Sequence, residues 1–213
     1  MQVNIFRKNF LKTISTIFII GIFSIGVAFS RDQIFTTIQQ YLMDIKTLQA
    51  NFTQINDTGE IMTGKLFLKK PGKIRFSYDN PHNLQIVSKQ QALLIFDPKN
   101  SGSGPLTYPL SSTPLGFLIK NEVGTLINES SEGFEIDDKM FIKIQNPKYR
   151  VSIAFKKKPM SLVGWEFENQ IGEMISISLD NIKTNDFISS EIFKTEKDYE
   201  TVSYTHLTLP TKA

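Results

Sequence analysis

The sequence predicts a mainly β protein in which an antiparallel meander carries packed helices. Two observations point there. From Leu48 onward, runs with a two-residue apolar period follow one another about every ten residues, with turn signals between them. Ahead of the first run, apolar residues recur every three or four positions, as on one face of a helix. There is no internal repeat and no interdomain linker.

The helical stretch is residues 32–48, with Ile34, Phe35, Ile38, Tyr41, Leu42, Ile45 and Leu48 in one broad stripe and Asp32 as the expected N-cap. The stripe needs a partner surface, so the helix should lie on the sheet. Leu48, Ala50 and Phe52 then alternate with polar residues, and Asn56-Asp57-Thr58-Gly59 turns the chain. Ile61 to Lys69 makes a second strand, Pro71-Gly72 a turn, and Ile74, Phe76 and Tyr78 alternate through a third. After the turn at Asp79-Asn80-Pro81, Leu84–Ser88 and Ala92–Asp97 form the next pair.

Pro98 to Pro109 is predicted as a loop. Thr113-Pro114 should start a helix to Lys120 that shows Leu115, Leu118 and Ile119 on one side, and a short second helix is expected within Glu122–Ser131. Strands resume at Phe134–Ile136, Phe141–Gln145, Arg150–Phe155, Leu162–Glu168 and Met174–Leu179, with a last strand expected near Ile188–Phe193.

Residues 1–30 have a different character. A polar start holding Arg7, Lys8 and Lys12 precedes the apolar run from Thr13 to Phe29, and Ala28 and Ser30 put small residues at −3 and −1 of a cut after Ser30. That is the pattern of a secretory signal peptide, against the alternative of an uncleaved anchor. The body would then be exported and work without cytoplasmic ATP or NAD. At the other end, residues 201–213 continue no pattern, and YTHLTLPTKA resembles a translated sequencing adapter. On that reading the native C-terminus is lost after about residue 200, against the alternative of a genuine flexible tail.

Charge narrows the function classes. The formal net charge is +3, all of it in the first thirty residues, so residues 31–213 are neutral. A neutral body argues against a nucleic acid partner, whose affinity rests on phosphate neutralisation. The absence of cysteine removes disulfides, Cys-based zinc sites and an acylated N-terminal Cys. His82 sits in a turn and reads as a solvated residue. Glu166 and Glu168 share one strand face opposite Trp165 and Phe167, which is ordinary amphipathic strand patterning rather than a paired-carboxylate site. Lys156-Lys157-Lys158 before Pro159 reads as a basic turn, and Gly102-Ser103-Gly104 lacks the lysine of a phosphate loop. No catalytic residue, metal site or cofactor is predicted. What remains is abundant apolar surface, with 17 Phe in the chain. By composition it suits either a sandwich core or a sheet face kept open for a lipid.

Several stretches in order decide between these. Asn51-Phe52-Thr53-Gln54, then Gly64-Lys65-Leu66-Phe67-Leu68-Lys69-Lys70-Pro71-Gly72-Lys73-Ile74-Arg75-Phe76-Ser77-Tyr78, then Tyr108-Pro109-Leu110-Ser111-Ser112-Thr113-Pro114-Leu115, and later Leu162-Val163-Gly164-Trp165-Glu166-Phe167 with Leu179-Asp180-Asn181, resemble the periplasmic outer-membrane lipoprotein carrier family, LolA, in a variant nearest alphaproteobacterial members. The resemblance covers residues 31–200. It implies an open, curved antiparallel half-barrel with a helical lid over an apolar cavity. It implies a periplasmic monomer that takes up the acyl chains of lipoproteins from an inner-membrane ABC transporter and delivers them to an outer-membrane acceptor, with no covalent chemistry. The alternative within the same fold is a carrier or sensor of another periplasmic lipid.

By that resemblance and by alternation, Phe52, Leu66, Leu68, Ile74, Phe76, Tyr78, Leu115, Leu118, Trp165 and Phe167 are the expected acyl-chain cavity. Many family members place Arg before the proline at position 71, where it latches the lid backbone. Lys70 stands there in this chain, offering a point charge without a planar fork. Arg75 should point away from the lid, opposite to Ile74 and Phe76. The exported protein is expected to begin at Arg31; N-terminal sequencing that finds Met1 in a membrane fraction would replace the cleaved form with a tethered one.

Overall fold

The computed structural model describes residues 30–119, 131–147, 149–168 and 172–195. The leader up to Phe29, nearly all of the second helical stretch in 122–131 and the tail 201–213 lie outside them. Helix α1 is Arg31–Asp44. Its N-cap is Ser30, not Asp32: the Gln33 N–H donates to Ser30 Oγ at 3.3 Å, and the Ser30 N–H donates back to Gln33 Oε1 at 2.9 Å. This reciprocal box satisfies two end donors, which Asp32 inside the first turn would not do. The cut expected after Ser30 would remove the cap. Ile34, Phe35, Ile38 and Leu42 are buried as the stripe predicts, whereas Leu48 already belongs to the first strand.

The helix ends without glycine, and side chains cap its last carbonyls. Lys70 Nζ donates to the Leu42 carbonyl, Lys46 Nζ to that of Met43 at 2.9 Å, and Asn185 Nδ2 to that of Asp44 at 3.2 Å.

Eleven strands follow: β1 Thr47–Asn56, β2 Ile61–Lys69, β3 Lys73–Tyr78, β4 Gln85–Lys89, β5 Ala92–Phe96, β6 Leu106–Pro109, β7 Glu132–Ile136, β8 Lys139–Asn146, β9 Tyr149–Lys157, β10 Met160–Glu168 and β11 Met174–Thr184. All pairs are antiparallel, in the order β6-β5-β4-β3-β2-β1-β11-β10-β9-β8-β7. The sheet stays open, with β6 and β7 as its edges, in the curved half-barrel form expected. Two meanders are fused where the first strand meets the last, Phe52 opposite Leu179.

Three local expectations are corrected. The predicted loop 98–109 contains a 3-10 turn, Pro98–Ser103, and then β6, where Tyr108 pairs with Leu93. Pro109 is tolerated there because β6 is an edge strand. The helix expected from Thr113 is shorter. Thr113 closes a 3-10 turn, Leu110–Ser112, by donating its hydroxyl to the Leu110 carbonyl, and α2 is Gly116–Ile119. The strand expected near Ile188–Phe193 is a 3-10 turn, Ser190–Phe193, capped by Ser189.

Alternation sets the inner face. In register, Ala50 opposes Leu66, Leu66 opposes Phe76 and Leu68 opposes Ile74, and all are buried under the helices. Charge divides along the other axis. Antiparallel order puts the β2–β3, β7–β8 and β9–β10 turns and the end of β11 at one end of the sheet, with Lys69, Lys70, Lys73, Lys139, Lys156, Lys158 and Lys183 beside Asp44, Asp137, Asp138 and Asp186. The opposite end holds Asp57, Glu60, Asp79, Glu168 and Glu173 beside Arg150.

Gly64 opposes Phe52, whose ring lies over it and meets Tyr78 edge-on at 4.9 Å. A Cβ there would overlap both that ring and the Ser77 carbonyl oxygen. Gly64→Ala should therefore cost about 1–3 kcal/mol through overpacking, seen as a lowered urea midpoint with an unchanged m-value; wild-type stability in the variant would show that the ring does not rest on the glycine.

Candidate functional site

The helices divide the inner face between them. Helix α1 covers the β7–β10 side: Ile34 and Phe35 sit over Gly133, and Tyr41 meets Phe155 edge-on at 5.9 Å. It is held at several points. Arg31 Nη2 donates to the Ser131 carbonyl at 2.6 Å. In β10 the register shifts between Leu162 and Gly164, and the Leu162 N–H donates to the Tyr41 hydroxyl at 2.9 Å. Burial raises the pKa of that phenol, outweighing the opposing effect of the Leu162 hydrogen bond. Helix α2 lies over Trp165, with Phe117 edge-on to the indole at 5.7 Å.

The helices leave part of the inner face uncovered. A cavity of about 450 Å³ remains, within the usual ligand-pocket range of roughly 300–1,000 Å³. Phe76, Tyr78, Leu84, Ile86, Leu93 and Ile95 of β3–β5 and the residue leading into β4 form one wall. Tyr149, Phe167, Ile175 and Ile177 form the other, and Thr113, Pro114 and Leu115 the roof. Its one buried polar pair is self-contained: the Tyr78 hydroxyl donates to Gln54 Oε1 at 2.7 Å, and Gln54 Nε2 donates to Asn56 Oδ1 at 2.8 Å. Burial pushes the Tyr78 phenol far up, so it stays neutral.

Of the ten residues expected to line the cavity, Phe76, Tyr78, Leu115 and Phe167 do so. Phe52, Leu66, Leu68, Ile74 and Trp165 share the inner face and Leu118 packs on it from α2, but all are closed over in the core, each no more than 2% exposed. The expectation passed over β4, β5 and β11. For Ile175 and Ile177 the signal was present, because they alternate with serines. In β5 the unbroken run Ala92-Leu93-Leu94-Ile95-Phe96 carries no alternation from which a face could be read.

The β2–β3 turn touches both covers. Lys70 Nζ donates to the Leu42 carbonyl of α1, and the Gly72 N–H donates to the Ile119 carbonyl of α2 at 3.0 Å. Ser88 braces the turn, accepting from the Ile74 N–H at 2.8 Å and donating to the Gly72 carbonyl at 2.7 Å. Burial, with the Lys46 ammonium as a second cause, lowers the Lys70 pKa to about 8.

Arg75 is on the outer face. Its guanidinium holds the C-terminal segment through the carbonyls of Ile192 and Lys194, at 3.0 and 3.2 Å, and Gln85 at 2.9 Å. A groove of about 680 Å³ runs there, with Arg75, Gln85, Asp97 and Lys194 among its lining. His82 approaches Glu60 at 3.9 Å in its turn. Glu168 pairs with Arg150 at 3.2 Å, while Glu166 points outward. Among the described residues no group of acidic and His side chains could hold a metal ion.

Residues 43–196 match the family model described as outer membrane lipoprotein carrier protein LolA. Two curated relatives bear the name outer-membrane lipoprotein carrier protein. One, from Methylococcus capsulatus, is 24% identical over 168 residues, covering 74% of this chain and 80% of the relative. The other, from Legionella pneumophila strain Paris, is 26% identical over 178 residues, covering 74% and 82%. Among solved structures, a LolA superfamily protein from Nitrosomonas europaea aligns with 77% of this chain and 98% of its own, at 14% identity and a TM-score of 0.45.

The Lys70 site has a pH signature. Below pH 8 the amine is charged in both folded and unfolded chains, and the folded form carries the desolvation cost. Between pH 8 and 10.5 the folded protein releases a proton that the unfolded chain keeps, so stability gains as pH rises. Urea unfolding from neutral pH to pH 10.5 should show wild type gaining on Lys70→Met in that window; parallel curves would mean that the ammonium is not held in a desolvated place.

Proposed function

The chain belongs to the outer-membrane lipoprotein carrier family, LolA, and on that premise we propose that it is a periplasmic chaperone for the acyl chains of lipoproteins. It receives them from an inner-membrane ABC transporter and passes them to an outer-membrane acceptor. The observation that carries this reading is the incompletely covered apolar cavity on the inner face. Each buried methylene is worth about 0.8 kcal/mol, so an acylated protein crosses an aqueous space only with its chains hidden. The same figure makes release hard unless the protein has its own apolar groups to put in their place. The helices supply them: Ile38, Leu42, Phe117 and Leu118 cover the surface that the chains would occupy.

In this reading Phe52, Leu66, Leu68, Ile74 and Trp165 join the cavity when a helix lifts, Leu118 of α2 faces the chains from the lid side, and the β2–β3 turn is the latch. Helix α2 yields first. Among the described residues its tie to the turn is one backbone hydrogen bond, whereas α1 is held through Arg31, Tyr41 and its capped C-terminus. Lys70 replaces a planar fork by a single point donor, which makes a weaker latch. Binding and release need no proton transfer or nucleophile, and the cavity's polar pair is already satisfied internally.

Native mass spectrometry of protein purified from the periplasm tests the reading directly: co-purifying lipoprotein or lipopeptide supports it, and a different lipid class redirects it. Phe76 is 3% exposed on the cavity wall, so Phe76→Glu would set a carboxylate against the chains. We expect binding of a dipalmitoylglyceryl-cysteinyl peptide to weaken at least about tenfold with the circular dichroism spectrum retained. Undiminished binding in the calorimeter would place the chains elsewhere.

A further inference from the structure

Trp165 is the chain's single tryptophan. Its position follows from the β10 irregularity, after which Gly164 and Trp165 are both buried and the indole, opposite Ile177 of β11, points to the inner face. Two rings enclose it, Phe117 of α2 at 5.7 Å and 77° and Phe76 of β3 at 6.4 Å and 72°. The residue is 2% exposed, and its Nε1–H has no hydrogen-bond partner among the described residues. Near-perpendicular rings offer an N–H at most a weak contact with their faces. Buried donors are nearly always paired, and leaving one unpaired costs free energy.

The location of this donor matters. Phe76 and Ile177, its neighbours across the inner face and across the ladder, both line the cavity, and Phe167 on the cavity wall is two residues along β10, roughly 7 Å away. Phe117 belongs to α2, the cover that yields first in the carrier reading. Withdrawing that ring would bring the indole edge onto the enlarged cavity.

An acyl chain is apolar except at its carbonyl, which accepts hydrogen bonds and cannot donate. The indole N–H donates and cannot accept. Each is left unpaired by burial alone, and each satisfies the other. We propose that Trp165 Nε1–H is the hydrogen-bond subsite for the ester carbonyl of a fatty acyl chain, exposed to it when α2 lifts. The proposal rests on the carrier reading and adds to it a means of telling acyl esters from plain hydrocarbon. It also makes the empty closed form carry an unpaired donor that loading removes.

Two probes separate the possibilities: a dipalmitoylglyceryl-cysteinyl peptide, and its dihexadecyl ether counterpart, which keeps the chains and lacks the ester carbonyls. The single indole gives one ¹H–¹⁵N resonance. We expect it to move downfield with the ester peptide and not with the ether. Trp165→Phe keeps a ring and removes the donor; calorimetry should show its affinity for the ester falling about fivefold to tenfold and its affinity for the ether staying within about twofold. The proposal is overturned by a resonance that does not respond to the ester, by one already at a hydrogen-bonded position in lipid-free protein, or by equal losses for both peptides in the variant. Wild-type protein that binds neither peptide overturns the carrier reading as well.

Discussion

The pairing of β1 with β11 holds the rest of the molecule in place. These strands are the first and last of the sheet in sequence, yet they lie side by side from Leu48 against Thr184 to Asn56 against Ile175. Without that ladder the chain would be two separate meanders, each with an exposed apolar face and one further open edge. With it there is one curved surface, continuous from β6 to β7. Asn185 secures the corner. Its N–H donates to the Thr47 carbonyl at 2.9 Å, its side-chain oxygen accepts from the Lys46 N–H at 2.7 Å, and its amide reaches the Asp44 carbonyl. One residue therefore ties the end of the last strand to the start of the first and to the end of α1.

Where the apolar groups leave no choice of position, the polar groups decide how firmly each part is held. The inner face and the helix stripes bury each other without directional preference. The strand irregularity at Leu162, the last carbonyls of α1 and the backbone of α2 are matched one by one by Tyr41, Lys70, Lys46 and the Gly72 N–H. Among the described residues the matches are unequal, and in the carrier reading that inequality sets where the cover opens. Local stability of this kind need not follow the distribution of hydrophobic area.

Periodicity made the helix, most strands and the inner face legible. Phe52, Leu66, Leu68, Ile74, Phe76 and Tyr78 all face inward as alternation requires. What alternation cannot say is what covers a face, and six of the ten residues assigned to the cavity are closed into the core between sheet and helices instead of lying on its open wall. Short elements were misread because their signals are ambiguous over three or four residues. Ser30 and Asp32 both suit a helix start, and only the reciprocal bond with Gln33 separates them. Thr113-Pro114 reads as a cap and first turn, yet the preceding 3-10 turn uses Thr113 first. The β1–β11 pairing is a long-range contact with no local signature.

The charges of the sheet's two ends cancel in the sum but not in the moment. With an excess of lysines about one strand length from an excess of carboxylates, roughly 30 Å for β1, the described part of the sheet carries an electric dipole along its strands. Such a molecule feels little net pull from a distant charged surface. Within a Debye length, about 10 Å at moderate salt, it feels a torque that turns its lysine end toward negative charge and its carboxylate end away. Arrival would then be oriented before any contact forms, and salt would blur the orientation more than it slows the approach.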